Sequence, residues 1–215
     1  MAVEFAMAVD TDILSSLKTG DLVLFAPPRR FPWLPERLGG RRWRHVAMVI
    51  RDPEHSEAMI WETAPAGATG AGVRLRRLAK RVARHQGTIS VRRLNQALTP
   101  AQCEALKAWR HELERRQNRQ SLIDLMGAGE DGWLGADDNH VNTPLPGELI
   151  ALGYQRIGLL ASPHKGGMEA RSYTPGHFGE RSQLRLALDF EVGPETPLGE
   201  VGKTPARPTL TPQPA

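Results

Sequence analysis

The stretch Asn142–Leu160, NTPLPGELIALGYQRIGLL, has the marks of a helix that opens on a proline. Pro146 suits the first helical turn, where a missing N–H is no loss and φ is already set. Leu149, Ile150, Gly153 and Ile157 fall on one face, and Gly158 is placed to end the helix. Gly153 lets that face approach a neighbour closely. Such a helix needs a partner layer, and the rest of the chain supplies one.

Upstream stand several short apolar runs bounded by turn residues. Leu22–Phe25 follows Gly20–Asp21 and is closed by prolines; HVAMVI begins at His45; MIWETAP begins at Met59; GTISVRRL begins at Gly87. Short runs at this spacing predict a mostly antiparallel sheet or a small barrel. GVRLRRLAKRVARH, from Gly72, predicts a strand running into a helix with a basic outer face. TPAQCEALKAWRHELERRQ, from Thr99, predicts a long helix: Thr99 as N-cap, Pro100 in the first turn, and Leu98, Cys103, Leu106, Trp109 (or Arg110) and Leu113 near the helical period. Residues 127–145 are rich in Gly, Asp and Asn and read as a loop. The fold class is therefore α+β. The expected division is a leader over 1–13, one domain over 14–192, and a disordered Pro/Thr-rich tail over 193–215.

Bulk composition narrows the classes. The 215 residues are 40% hydrophobic, enough for a real core. Lys and Arg number 28 against 24 Asp and Glu, so the basic excess is mild. The runs Arg29–Arg30, Arg41–Arg44 and Arg74–Arg84 read first as solvated faces, and nucleic acid is not the expected partner. The one cysteine, Cys103, excludes a disulfide framework and a cysteine-rich zinc site. The N-terminus has acids among its apolar residues and no cationic start, and no uncharged apolar run reaches the roughly 18 residues a membrane span needs. The expectation is a cytoplasmic protein without cofactor or metal. Its histidines lack metal-ligand spacing; DDNH (Asp137–His140) reads as a solvated loop and GATGAG (Gly67–Gly72) as a hairpin loop.

Four pieces in order, LKTGDLVLF, RHVAMVI, WETAPAGATGAGVRL and PGELIALGYQRIGLL, resemble the circularly permuted papain-like amidases related to the NlpC group, of the YiiX and YaeF type. These in turn resemble lipid-processing enzymes of the lecithin–retinol acyltransferase group. The resemblance spans residues 14–190 and includes a closing segment like SYTPGHFGE. It implies a permuted papain-like fold, with His45 at the base position and Glu62 as the residue that orients it. Pro146 falls where the family has its cysteine, with Gly147 and Glu148 on the serine and glutamate that follow. A thiolate activated by histidine and by a helix N-terminus is the family's nucleophile. Proline has neither nucleophile nor backbone N–H.

The expectation is thus a degenerate homologue in which the imidazole of His45 faces the start of the Pro146 helix and meets no sulfur. It binds a peptide-, acyl- or lipid-like ligand, or a protein partner. Two alternatives stand beside it. One is an active amidase or acyl hydrolase with another nucleophile, Cys103 or Thr143. The other is a module for anionic surfaces, nucleic acid or membrane, built on the arginine runs.

Overall fold

The computed structural model describes residues 11–28, 43–64, 72–126, 144–182 and 184–200. Six strands form one open antiparallel sheet: β1 (Leu22–Ala26), β2 (His45–Ile50), β3 (Met59–Ala64), β4 (Gly72–Arg77), β5 (Thr88–Arg92) and β6 (Thr196–Glu200), in the order β4-β3-β2-β1-β5-β6. Of the two expected forms, open sheet and barrel, the open sheet is the one present. Helices α1 (Thr11–Ser16), α2 (Leu78–Ala83), α3 (Pro100–Met126) and α4 (Pro146–Arg156) complete the α+β architecture.

Both faces of the sheet are covered, and this explains its composition. β1 and β3 are buried at every position, and β2 at all but His45. A strand covered on one side alternates apolar with polar; one covered on both sides has no polar side to show. On one face, Leu22, Leu24, Val46, Met48 and Trp61 pack with Leu106 of α3 and Leu149, Ile150 and Tyr154 of α4. On the other, Val23, Phe25, Ala47, Val49 and Ile60 pack with Leu17 and with Leu78 and Val82 of α2.

The local signals hold at the helix starts. The Thr99 hydroxyl accepts from the Gln102 N–H at 3.2 Å, and the Gln102 side chain accepts from the Thr99 N–H at 2.9 Å, which is a capping box. In α4, Glu148 Oε2 accepts from the Leu145 N–H at 3.1 Å, and Gly158 past its end has φ +77°. The Tyr154 hydroxyl, fully buried, donates to the Gly20 carbonyl at 2.7 Å and ties α4 to the turn before β1. Burial, helped by the charge of Asp21, pushes that phenol far above its ordinary range, so it stays a donor. Gly20 itself sits at φ +98°, and a Cβ there would lie 2.8 Å from Leu94.

Two expectations are corrected. The tail does not start at 193, because Thr196–Glu200 pairs with β5 and Leu198 is buried against the α2 face. Arg92 helps hold that segment: its guanidinium donates to the carbonyls of Gly193, Phe178 and Val192. The leader boundary at 13 cuts through α1, whose Ile13 and Leu14 pack against the same core. On α3, where the sequence offers Trp109 or Arg110, Arg110 is the deeply buried one and Trp109 packs half-buried against Trp61. Residues 29–42, 65–71 and 127–143, with Arg29–Arg30, part of Arg41–Arg44, most of GATGAG, DDNH and Thr143, lie outside the described residues.

Candidate functional site

The polar centre of the molecule is at the edge of the α2 face. β2 and β3 pair Met48 with Trp61 and Val49 with Ile60. The same spacing continued by one pair sets Glu62 beside Ala47, diagonal to His45 on the same face, within reach of a long side chain. The two meet: His45 Nε2 lies 2.8 Å from Glu62 Oε2. Glu62 is almost fully buried and also receives Arg81 Nε at 3.2 Å and Arg76 Nε at 3.7 Å. Burial by itself raises its carboxyl; the hydrogen bond and charge of His45, with those of Arg81, outweigh it and hold the group below the ordinary carboxylate range. An ionised carboxylate only accepts, so His45 Nε2 carries the proton of this hydrogen bond.

Phe25, paired with His45 across the β1–β2 ladder, is the apolar floor. The His45 ring lies 5.7 Å from it, Arg81 stacks over it at 4.3 Å, and His85 meets its edge at 5.1 Å. His85 Nε2 donates to the Ala26 carbonyl at 2.8 Å. Burial first, then the positive charges of Arg81 and His45, lower its pKa. The sequence marks His45 and Glu62 but not Arg81, Phe25 or His85. The signal for Arg81 is its place one residue before the inward Val82 on a helix following directly from β4.

Helix α4 lies on the other face of the sheet. His45 and Ala47 point with Phe25 toward α2, whereas Val46 and Met48 point toward α4; Gly153 faces Met48 and Trp61 there. The expectation that the imidazole of His45 faces the start of the Pro146 helix is therefore corrected. The sheet stands between them, because successive side chains of a strand leave on opposite sides.

What covers the start of α4 is the segment carrying SYTPGHFGE. A Cβ on Gly147 would lie 2.3 Å from the Tyr173 carbonyl oxygen and 2.7 Å from the Thr174 carbonyl carbon. His177 Nδ1 accepts from the Thr174 N–H at 2.9 Å, closing the short turn Pro175–Phe178. Gly147 is thus required by close backbone approach. Gly147→Ala is expected to lose about 2 kcal/mol as the turn is pushed away, seen as a lower urea midpoint; a loss under about 0.5 kcal/mol would mean the contact relaxes freely.

Cys103 is half-buried on α3 and packs toward the α4 face. Burial, then Glu104, pushes its thiol above the ordinary value, the opposite of what a nucleophile needs. It lines a small cavity of about 110 Å³ with Asp52, Lys107 and Arg110. Among the described residues no cluster of three or more His, Cys, Asp or Glu could hold a metal ion, and no helix is long and apolar enough to cross a membrane.

Fold and site define an α+β protein with a six-strand antiparallel sheet and a buried glutamate paired with a partly exposed histidine under a short basic helix. No family model matches the chain, and no curated protein matches its sequence.

Proposed function

We propose that the chain is a binding protein of permuted papain-like ancestry that takes a peptide-, acyl- or lipid-like ligand without thiol chemistry. The ancestry rests on the order of its four segments and not on an active-site geometry. The observation that carries the reading is the His45–Glu62–Arg81 group beside Phe25, on the sheet face away from Cys103 and Pro146. Arg81 gives Glu62 its Nε, which leaves its terminal nitrogens to meet a carbonyl or carboxylate oxygen. His45 Nδ1 offers a second polar contact, and Phe25 supplies apolar surface. With no thiol beside it among the described residues, the pair has no covalent acyl-enzyme route and serves to orient a ligand.

The test uses Pro146→Cys in a Cys103→Ser background. The variant is expected to fold, to hydrolyse no activated ester faster than the parent, and to alkylate with a pH profile that His45→Ala leaves unchanged. Ester turnover abolished by His45→Ala would show that thiol and imidazole meet, and the proposal would fall. In parallel, a fluorescent fatty acyl carboxylate is expected to bind the parent and to bind Arg81→Gln roughly tenfold more weakly, the equivalent of one charge-assisted hydrogen bond.

A further inference from the structure

Between residues 74 and 84 the chain places Arg74, Arg76, Arg77, Lys80, Arg81 and Arg84, and no carboxylate. They occupy β4, which is an edge strand, and α2. Two acids from neighbouring elements answer part of this charge. Buried Glu62 takes Arg76 and Arg81, and half-buried Glu57 takes Arg77 at 3.1 Å. Lys80 and Arg84 are exposed, and no ion pair among the described residues reaches either.

The arrangement is costly where it stands. Leu78 and Val82 turn inward, so Arg77, Lys80 and Arg84, at helical spacings of three and four, make one outward row. Like charges at these spacings oppose helix formation. The helix dipole opposes Arg77 at the N-cap and favours Lys80 and Arg84 at the other end, so the cost lies in the repulsion within the row. With a net charge of only +4 for the whole chain, this is a local concentration and not a general field. An external anion removes the cost.

We propose that this outer face of α2, with Arg76 beside it, is a docking surface for anionic phospholipid headgroups at a bilayer surface. Arginine-rich rows suit phosphate oxygens, which they grip in pairs. Ala79 and Ala83 between the cations are small, and among the described residues the large exposed apolar side chains, Leu145, Met168 and Leu188, lie on other segments. Contact is therefore by charge, without insertion. The size of the row favours headgroups over duplex nucleic acid. A six-residue helix is about 9 Å long, while duplex-binding modules bury on the order of 600–1,000 Å²; headgroups come singly and need no such area. This inference is independent of the reading of His45.

The test is co-sedimentation of the full chain with phosphatidylcholine vesicles with and without phosphatidylserine. Binding is expected only with the anionic lipid and is expected to fall steeply as salt shortens the screening length. At roughly fivefold for each basic residue near the surface, removing two loses about 30-fold, and Lys80→Glu with Arg84→Glu, which reverses both charges, loses at least that. Lys80→Gln with Arg84→Gln loses less but in the same direction, and guards against an effect of the new acids on α2. Arg171→Glu with Arg185→Glu changes net charge equally and is expected to stay near the parent. No binding to anionic vesicles at low salt, equal losses in the two reversal pairs, or tighter binding to a DNA duplex than to vesicles each overturns the proposal.

Discussion

Glu62→Leu is expected to lower the unfolding free energy by about 3 kcal/mol. The carboxylate answers His45, Arg81 and Arg76 from a buried position. Removing one partner of a buried ion pair strands the others and costs about 3–5 kcal/mol; the partial exposure of Arg76 and Arg81 reduces that figure. Urea denaturation reads the loss as a lower midpoint at unchanged slope. The pH dependence carries the sign. Glu62 has a folded pKa below its ordinary 4.5, so the native state holds fewer protons there than the unfolded chain. Its contribution is full above pH 4.5 and is lost as pH falls through the folded value. The gap between parent and Glu62→Leu is therefore wide at neutral pH and narrows in acid. A gap constant down to pH 3 would assign the effect to packing and not to charge.

Arg110→Ala is the second large effect, about 3 kcal/mol. Arg110 on α3 and Asp52 in the β2–β3 turn are both buried, 3.0 Å apart. Asp52 also accepts from the Glu54 N–H at 3.2 Å, which shapes the turn. Without Arg110, a buried carboxylate depends on Lys107 at 3.7 Å, and α3 loses its polar anchor to the sheet. Asp52→Asn in the Arg110→Ala background removes the stranded charge and is expected to recover part of the loss, giving a coupling above about 1 kcal/mol in the double-mutant cycle. Arg110→Met keeps the buried stem and is expected to lose less than alanine. Additive single losses would mean the two residues act separately.

The two-face arrangement changes how the missing nucleophile is understood. With α4 across the sheet from His45, proline at 146 does not by itself account for the lack of a thiol–imidazole pair. A cysteine there would lie against the Tyr173–His177 turn and not against the His45–Glu62 pair. The proline also fits its position on structural grounds alone, in the first turn of a capped helix.

The sequence by itself determined the elements and their ends. The short apolar runs between Gly20 and Arg92 are β1, β2, β3 and β5; Thr99 with Gln102 starts α3; Pro146 and Gly158 bracket α4. These are local decisions, fixed by caps, turn residues and the run of apolar side chains within one segment. His45 and Glu62 were also legible as polar residues in apolar strands, and their meeting follows from register and parity. Nothing along the chain marks the face on which each helix lies. Because β1, β2 and β3 are apolar on both sides, the pattern along them is the same whether α4 sits with His45 or opposite it. Only the packed structure decided that, along with the burial of Arg110, the clamp of Tyr173 and Thr174 on Gly147, and the recruitment of 196–200 as an edge strand. Each depends on contacts between segments far apart in the chain, whose free energy appears only once the layers close on one another.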